Sequence, residues 1–160
     1  MSARLVRLSR DKIECFAMLP KLTEAILSVA VSLEQRGMAN VVRRLEADFV
    51  LAGTLLDGGQ FYVPTSAAWL AWDDEAAQVK GHVAASIETL FDTRLVVVSQ
   101  AALLAPDIGQ ELRDQWSEAF DAWMLEQGCR EAVMMTPHDY PAVWRPYRFH
   151  HWRAVYRREL

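Results

Sequence analysis

Residues 95–104, Leu-Val-Val-Val-Ser-Gln-Ala-Ala-Leu-Leu, followed by Ala105-Pro106-Asp107-Ile108-Gly109-Gln110-Glu111-Leu112, form the stretch whose reading decides the fold. A nearly unbroken apolar run bounded by a proline is what a central strand buried on both faces shows. Pro106 ends it, having no N–H to give a ladder. From Ile108 to Gly128 the period changes to that of a helix. Leu112, Trp116, Ala119, Phe120, Trp123 and Met124 make one stripe, while Glu111, Arg113, Asp114, Glu118 and Asp121 are expected off it. Gly128 supplies the stop.

Outward from this strand–helix unit the order of elements is legible. Before it, Ala67–Trp72 and Val79–Phe91 read as strands joined by a polar turn at Asp73-Asp74-Glu75. Arg4–Leu8 reads as a first strand. Asp11 and Glu14 have capping-box spacing for a helix that Pro20 is expected to break or restart. Leu22, Ala25, Ile26, Val29, Ala30 and Leu33 then lie on one helical face, and Asn40 starts a further helix through Phe49. After the long helix come a short strand at Ala132–Met135, a short helix at His138–Trp144 and a last strand at Phe149–Arg157. The succession predicts an α/β (α+β) protein whose mixed, mostly antiparallel sheet is covered by helices.

Bulk properties bound the function. A chain of 160 residues is of ordinary single-domain size, and one domain over 1–160 is expected. The net charge of −4 leaves no chain-wide basic field for general nucleic-acid binding. The charge is uneven: residues 145–160 hold five arginines against Glu159, +4, leaving −8 elsewhere. No run approaches the length of a membrane span, and neither a leader nor a span is expected. Cys15 and Cys129 stand far apart, which suits a reducing, cytoplasmic setting and two buried small side chains. No histidine or cysteine spacing resembles a metal site, so no metal is expected.

From Val79 onward the chain resembles the GNAT family of acyl-CoA-dependent N-acetyltransferases. The resemblance rests on Val79-Lys80-Gly81-His82 at the opening of a long strand and on Leu104-Ala105-Pro106 in the place of the family's V-x-P. It rests too on Trp144-Arg145-Pro146-Tyr147-Arg148-Phe149 in the place of Y-x-x-x-G-F. It implies a GNAT-like fold with acetyl-CoA as cofactor, an amine acceptor, and cofactor contacts from Leu104, Ala105, Ile108, Gly109 and Gln110. In that family a glycine-rich turn at the helix start presents backbone amides to the pyrophosphate. Here that turn is shorter and has one glycine. Asp107 and Gln110 have capping-box spacing, which predicts a helix start satisfied by its own side chains.

The catalytic positions also depart from the family. Trp144 stands where a tyrosine acid is usual, so proton donation would pass to Tyr140 or Tyr147, and Arg148 replaces the glycine. Glu88 is the nearest carboxylate for a general base, with His82 a second candidate. These departures leave two functions open: an acyltransferase that has drifted, or a non-catalytic protein acting on a protein partner or assembly. For the second, organisation and tryptophan content resemble the GNAT-like internal virion proteins of short-tailed phages, with virion association instead of a cytoplasmic location. The Arg145–Arg158 edge and the Trp69/Trp72 strand are then expected to be its docking surfaces.

Overall fold

A computed structural model describes residues 3–9, 12–35, 66–90, 92–101, 108–134 and 145–149. The expected helix from Asn40 to Phe49, the short helix at His138–Trp144 and the strand beyond Phe149 lie outside them. The elements are β1 (Ala3–Arg7), α1 (Ile13–Gln35), β2 (Ser66–Asp73), β3 (Gln78–Leu90), β4 (Thr93–Ala101), α2 (Gln110–Glu126) and β5 (Ala132–Met134), with a 3-10 turn at Arg145–Tyr147.

The strands form one sheet in the order β1-β2-β3-β4-β5. The first three pairings are antiparallel, and β4 pairs β5 in parallel through Val96↔Ala132, Val97↔Val133 and Val98↔Met134. Parallel neighbours need a crossover, which α2 supplies. The apolar run of β4 is thus explained: it lies between two strands, and Leu95, Val96, Val97 and Val98 are all buried.

Strand alternation sorts β2 into two cores. Ala67, Trp69 and Ala71 face α2 and pack with Val83, Ala85, Val96, Val98, Leu112, Trp116, Phe120, Trp123 and Met124. Ala68, Leu70 and Trp72 face α1 and pack with Val6, Leu8, Cys15, Met18 and Leu22. Both cysteines are buried and free. Trp69 is 1% and Trp72 8% exposed. The strand expected to be a docking surface is therefore core on both faces, which corrects that expectation.

The break expected at Pro20 does not occur: α1 runs through it without interruption. Cys15, Met18 and Leu22 line one buried face on both sides of the proline, so burial holds the helix together across the bond Pro20 cannot make. Pro20 itself is exposed.

The helix α2 ends as its sequence requires. Cys129 N donates to Met124 O (2.9 Å) and Gly128 N to Leu125 O (3.0 Å), with Gly128 at φ 70. This is a Schellman motif, and its left-handed residue is the glycine.

The β2–β3 turn is organised by Asp73. Its Oδ1 accepts from the amides of Glu75 and Ala76, both at 3.0 Å, and Lys80 Nζ stands 3.7 Å from Oδ2. The Ala76 amide, with that of Glu75 and the Lys80 charge, holds the Asp73 carboxyl below its ordinary value against the opposing effect of burial. A depressed carboxyl stabilises the fold above its unfolded value and loses that contribution as pH falls through the folded one. Asp73→Asn is therefore expected to lower stability at neutral pH and to flatten the fall in stability below about pH 4, measured by urea unfolding across pH.

Candidate functional site

The C-terminal ends of parallel strands and the N-terminus of the helix between them share one edge of a sheet, where ligands of open α/β sheets bind. Here β4 and β5 run parallel and β4 leads toward α2. A bulge lies near that end of β4. Ala84 is opposite Gln100 and Ala85 opposite Val98, so Ser99 is an extra residue in the ladder with β3. Bulges are common beside active sites because they disrupt pairing and re-aim the chain. Nothing in the apolar run signalled this one.

The start of α2 differs from the expected capping box. The N-cap is Gly109, at φ −55 and ψ 144, and it brings no side-chain cap. Gln110 does not reach back: its Nε2 donates to Asp114 Oδ1 (2.7 Å), and its Oε1 accepts from Arg113 Nη2 (2.8 Å). Ile108 is buried, and the helix begins two residues later than the Asp107 spacing implies. The first backbone bond of the helix is Arg113 N to Gly109 O (3.3 Å), so the amides of Gln110, Glu111 and Leu112 precede the ladder. Gly109 is exposed, and a Cβ built on it meets nothing within 4 Å among the described residues. Leu104, Ala105 and Asp107 lie outside the described residues.

Tyr147 lies against this turn. It is buried, and its ring meets Trp116 edge-on at 6.1 Å. Burial pushes the phenol above its ordinary value; the Asp114 charge adds to the rise, while Arg113 and Gln110 oppose it. The hydroxyl is therefore a neutral donor through physiological pH. Arg113, expected off the buried stripe, is instead half-buried with its Nε enclosed. Its spacing three residues before Trp116 was the available signal.

Arg148 follows the 3-10 turn at φ 64, the left-handed region that favours glycine, and it pairs with Asp121. The place where the resemblance puts a glycine thus keeps the conformation a glycine would adopt. Relief of a left-handed side chain is worth about 1 kcal/mol, and an exposed ion pair about 0.5 kcal/mol. Arg148→Gly is accordingly expected to raise stability slightly and Asp121→Asn to lower it slightly, by thermal unfolding.

The remaining catalytic candidates are not gathered here. Glu88 is half-exposed on β3 and accepts from Ser86 Oγ (3.0 Å). Its neighbour Ile87 packs toward α2, so Glu88 stands on the α1 face, opposite Tyr147. It pairs with Leu95, whereas Val83 pairs with Ala101 at the site end of the sheet. His82, buried beside Val83, is nearer that end. Tyr140 lies outside the described residues. Among the described residues no group of three metal-binding side chains occurs, and no helix is long and apolar enough to cross a membrane.

Among the described residues, the five-stranded, mostly antiparallel sheet with one helix on each face is a GNAT-like fold. Aminoglycoside 6'-N-acetyltransferase AAC(6')-Ih from Acinetobacter baumannii superposes with a TM-score of 0.57 at 12% identity, over 99% of each chain. AAC(6')-Iy in complex with the bisubstrate analogue CoA-S-monomethyl-acetylneamine gives 0.57 at 17% identity, over 100% of this chain and 99% of that one. A predicted acetyltransferase with acetyl-CoA from Clostridium acetobutylicum gives 0.54 at 12%, over 97% and 96%. No protein-family model and no curated protein sequence matches the chain.

Acyl-CoA fits the residues present. Among the described residues the turn at Gly109 is open, its amides precede the helix ladder, and buried Tyr147 Oη and Arg113 Nε beside it have no hydrogen-bond partner. Two exposed acids, Glu111 and Asp114, oppose the fit and are screened by solvent.

Proposed function

We propose that the chain is an acyl-CoA-dependent N-acyltransferase of one domain, transferring an acetyl group to an amine. The observation that carries this is the start of α2, which has a glycine at its N-cap, no box formed by Gln110 and open space in front, at the end of the sheet toward which β4 and β5 run. Such a terminus attracts anions through unsatisfied N–H groups and the helix dipole. Acetyl-CoA would supply a thioester whose carbonyl an amine can attack. Ile108, Gly109 and Gln110, with Leu104 and Ala105 before them, would hold it.

Tyr147 stands at the helix start as a neutral donor, and Tyr140 is the other tyrosine available for proton donation. Glu88 and Tyr147, on opposite faces, do not form one acid–base pair on a single acceptor. A base on the α1 face would be His82 or Glu88, of which His82 is nearer the ends of the parallel strands. The cationic aminoglycosides named for the similar structures make polyamines the first acceptor class to assay.

The test is thiol release and acetyl-product formation with acetyl-CoA and a panel containing neamine, sisomicin, spermidine and a lysine peptide. Turnover above the uncatalysed rate is expected with at least one amine. Bound acetyl-CoA without any transfer would instead assign a non-catalytic role.

A further inference from the structure

Among the described residues, four buried donors on α2 or packed against it have no partner: Trp123 Nε1, deep in the core, and three nearer the start of the helix, Arg113 Nε, Trp116 Nε1 and Tyr147 Oη. Native proteins rarely leave such groups unsatisfied, because each costs about 1–3 kcal/mol. Arg113 and Trp116 are three residues apart, hence neighbours on one helical face, and Tyr147 meets Trp116 ring to ring. Arg113 Nη2 is turned to Gln110 Oε1, while its Nε has no acceptor. All three sit within two turns of an N-terminus whose N-cap side is open.

We propose that Tyr147 Oη and Arg113 Nε, with Trp116 Nε1 beside them, form a side-chain donor cluster that takes a phosphate oxygen of the ligand seated on the first turn of α2. This rests on the acyl-CoA reading and assigns Tyr147 to binding instead of acid catalysis. The cluster offers donors where the shortened turn offers few glycine amides. A phosphate oxygen has several lone pairs and accepts from an arginine fork and a hydroxyl together. The donors are covered in the free chain, and Gln110, exposed and held by Arg113, is the side chain that must swing aside. Asp114 accepts from Gln110 and opposes an anion, so binding is expected to tighten in Asp114→Asn.

Tyr147→Phe tests the cluster cleanly, because removing an unsatisfied buried hydroxyl leaves the fold as stable or more so. Calorimetric titrations use pyrophosphate, acetyl-CoA and S-acetylpantetheine, which carries the thioester without phosphate. Tyr147→Phe and Arg113→Lys are expected to weaken pyrophosphate and acetyl-CoA by about tenfold each and to leave S-acetylpantetheine unchanged. Unchanged affinities overturn the cluster, whether Tyr147→Phe merely stabilises the fold or abolishes turnover as a lost acid would. Acetyl-CoA binding indifferent to Tyr147 leaves the acyltransferase reading intact while the cluster fails. Pyrophosphate binding that needs Tyr147, without acetyl-CoA binding, keeps the cluster and rejects that reading. Wild-type protein that binds neither rejects both.

Discussion

Trp69→Ala is expected to remove about 3–5 kcal/mol of stability, the range for deleting a fully buried tryptophan. Trp69 is in the middle of β2, 1% exposed, and joins the sheet to α2. Its ring meets Phe120 at 5.9 Å and Trp123 at 5.7 Å, both edge-on, and Arg7 lies over it at 6.0 Å. Such aromatic pairs add about 0.5–1.5 kcal/mol beyond area burial, so the cavity would lose packing on three sides. A domain of this size has only about 5–15 kcal/mol to lose. Urea unfolding followed by far-UV circular dichroism measures the change, with Leu125→Ala, 68% exposed, as a control expected within about 0.5 kcal/mol of wild type. A loss below about 1 kcal/mol for Trp69→Ala would contradict the placement of this face in the core.

Gly109→Asp is expected to separate stability from function. Aspartate is among the best N-caps and glycine only moderate, the new Cβ meets nothing within 4 Å, and the carboxylate complements the helix dipole. Helix stability should therefore hold or rise by a few tenths of a kcal/mol. The same carboxylate occupies the amides an anionic cofactor needs and repels its phosphates. Acetyl-CoA affinity should fall by more than about tenfold, or about 1.4 kcal/mol. A variant equally stable and equally able to bind would mean that the ligand sits elsewhere.

Much of the fold was legible in single residues. The apolar run from Leu95, the Leu112–Trp116–Phe120–Trp123 spacing and Gly128 are local signals that burial then reinforces, and each stands where it was expected; Pro106 lies outside the described residues. Where the sequence misled, a distant contact outweighed a local rule. Pro20 carries a true break signal, but Cys15, Met18 and Leu22 bury one continuous face across it. Asp107 and Gln110 have the capping spacing, but the helix starts at Gln110 with Gly109 as its N-cap and the buried Ile108 before it.

The candidate site was less legible because it depends on register. Ala71 pairs with Gly81 and Trp72 with Val79, so Lys80 is an extra residue that resets alternation along β3. Counting from the hairpin therefore cannot give the face on which Glu88 stands. The Ser99 bulge is equally silent in a run of apolar neighbours. Arg148 shows the opposite case: a residue that broke the resemblance retains the left-handed backbone of the glycine it replaces.

The most direct measurement is a calorimetric titration of the wild-type protein with acetyl-CoA, paired with thermal unfolding in the same buffer. Saturable binding is expected, with a stability gain of about 2.7 kcal/mol at one hundred times the dissociation constant that Gly109→Asp abolishes. No heat of binding and no change in unfolding temperature at millimolar acetyl-CoA would contradict an acyl-CoA site at the start of α2.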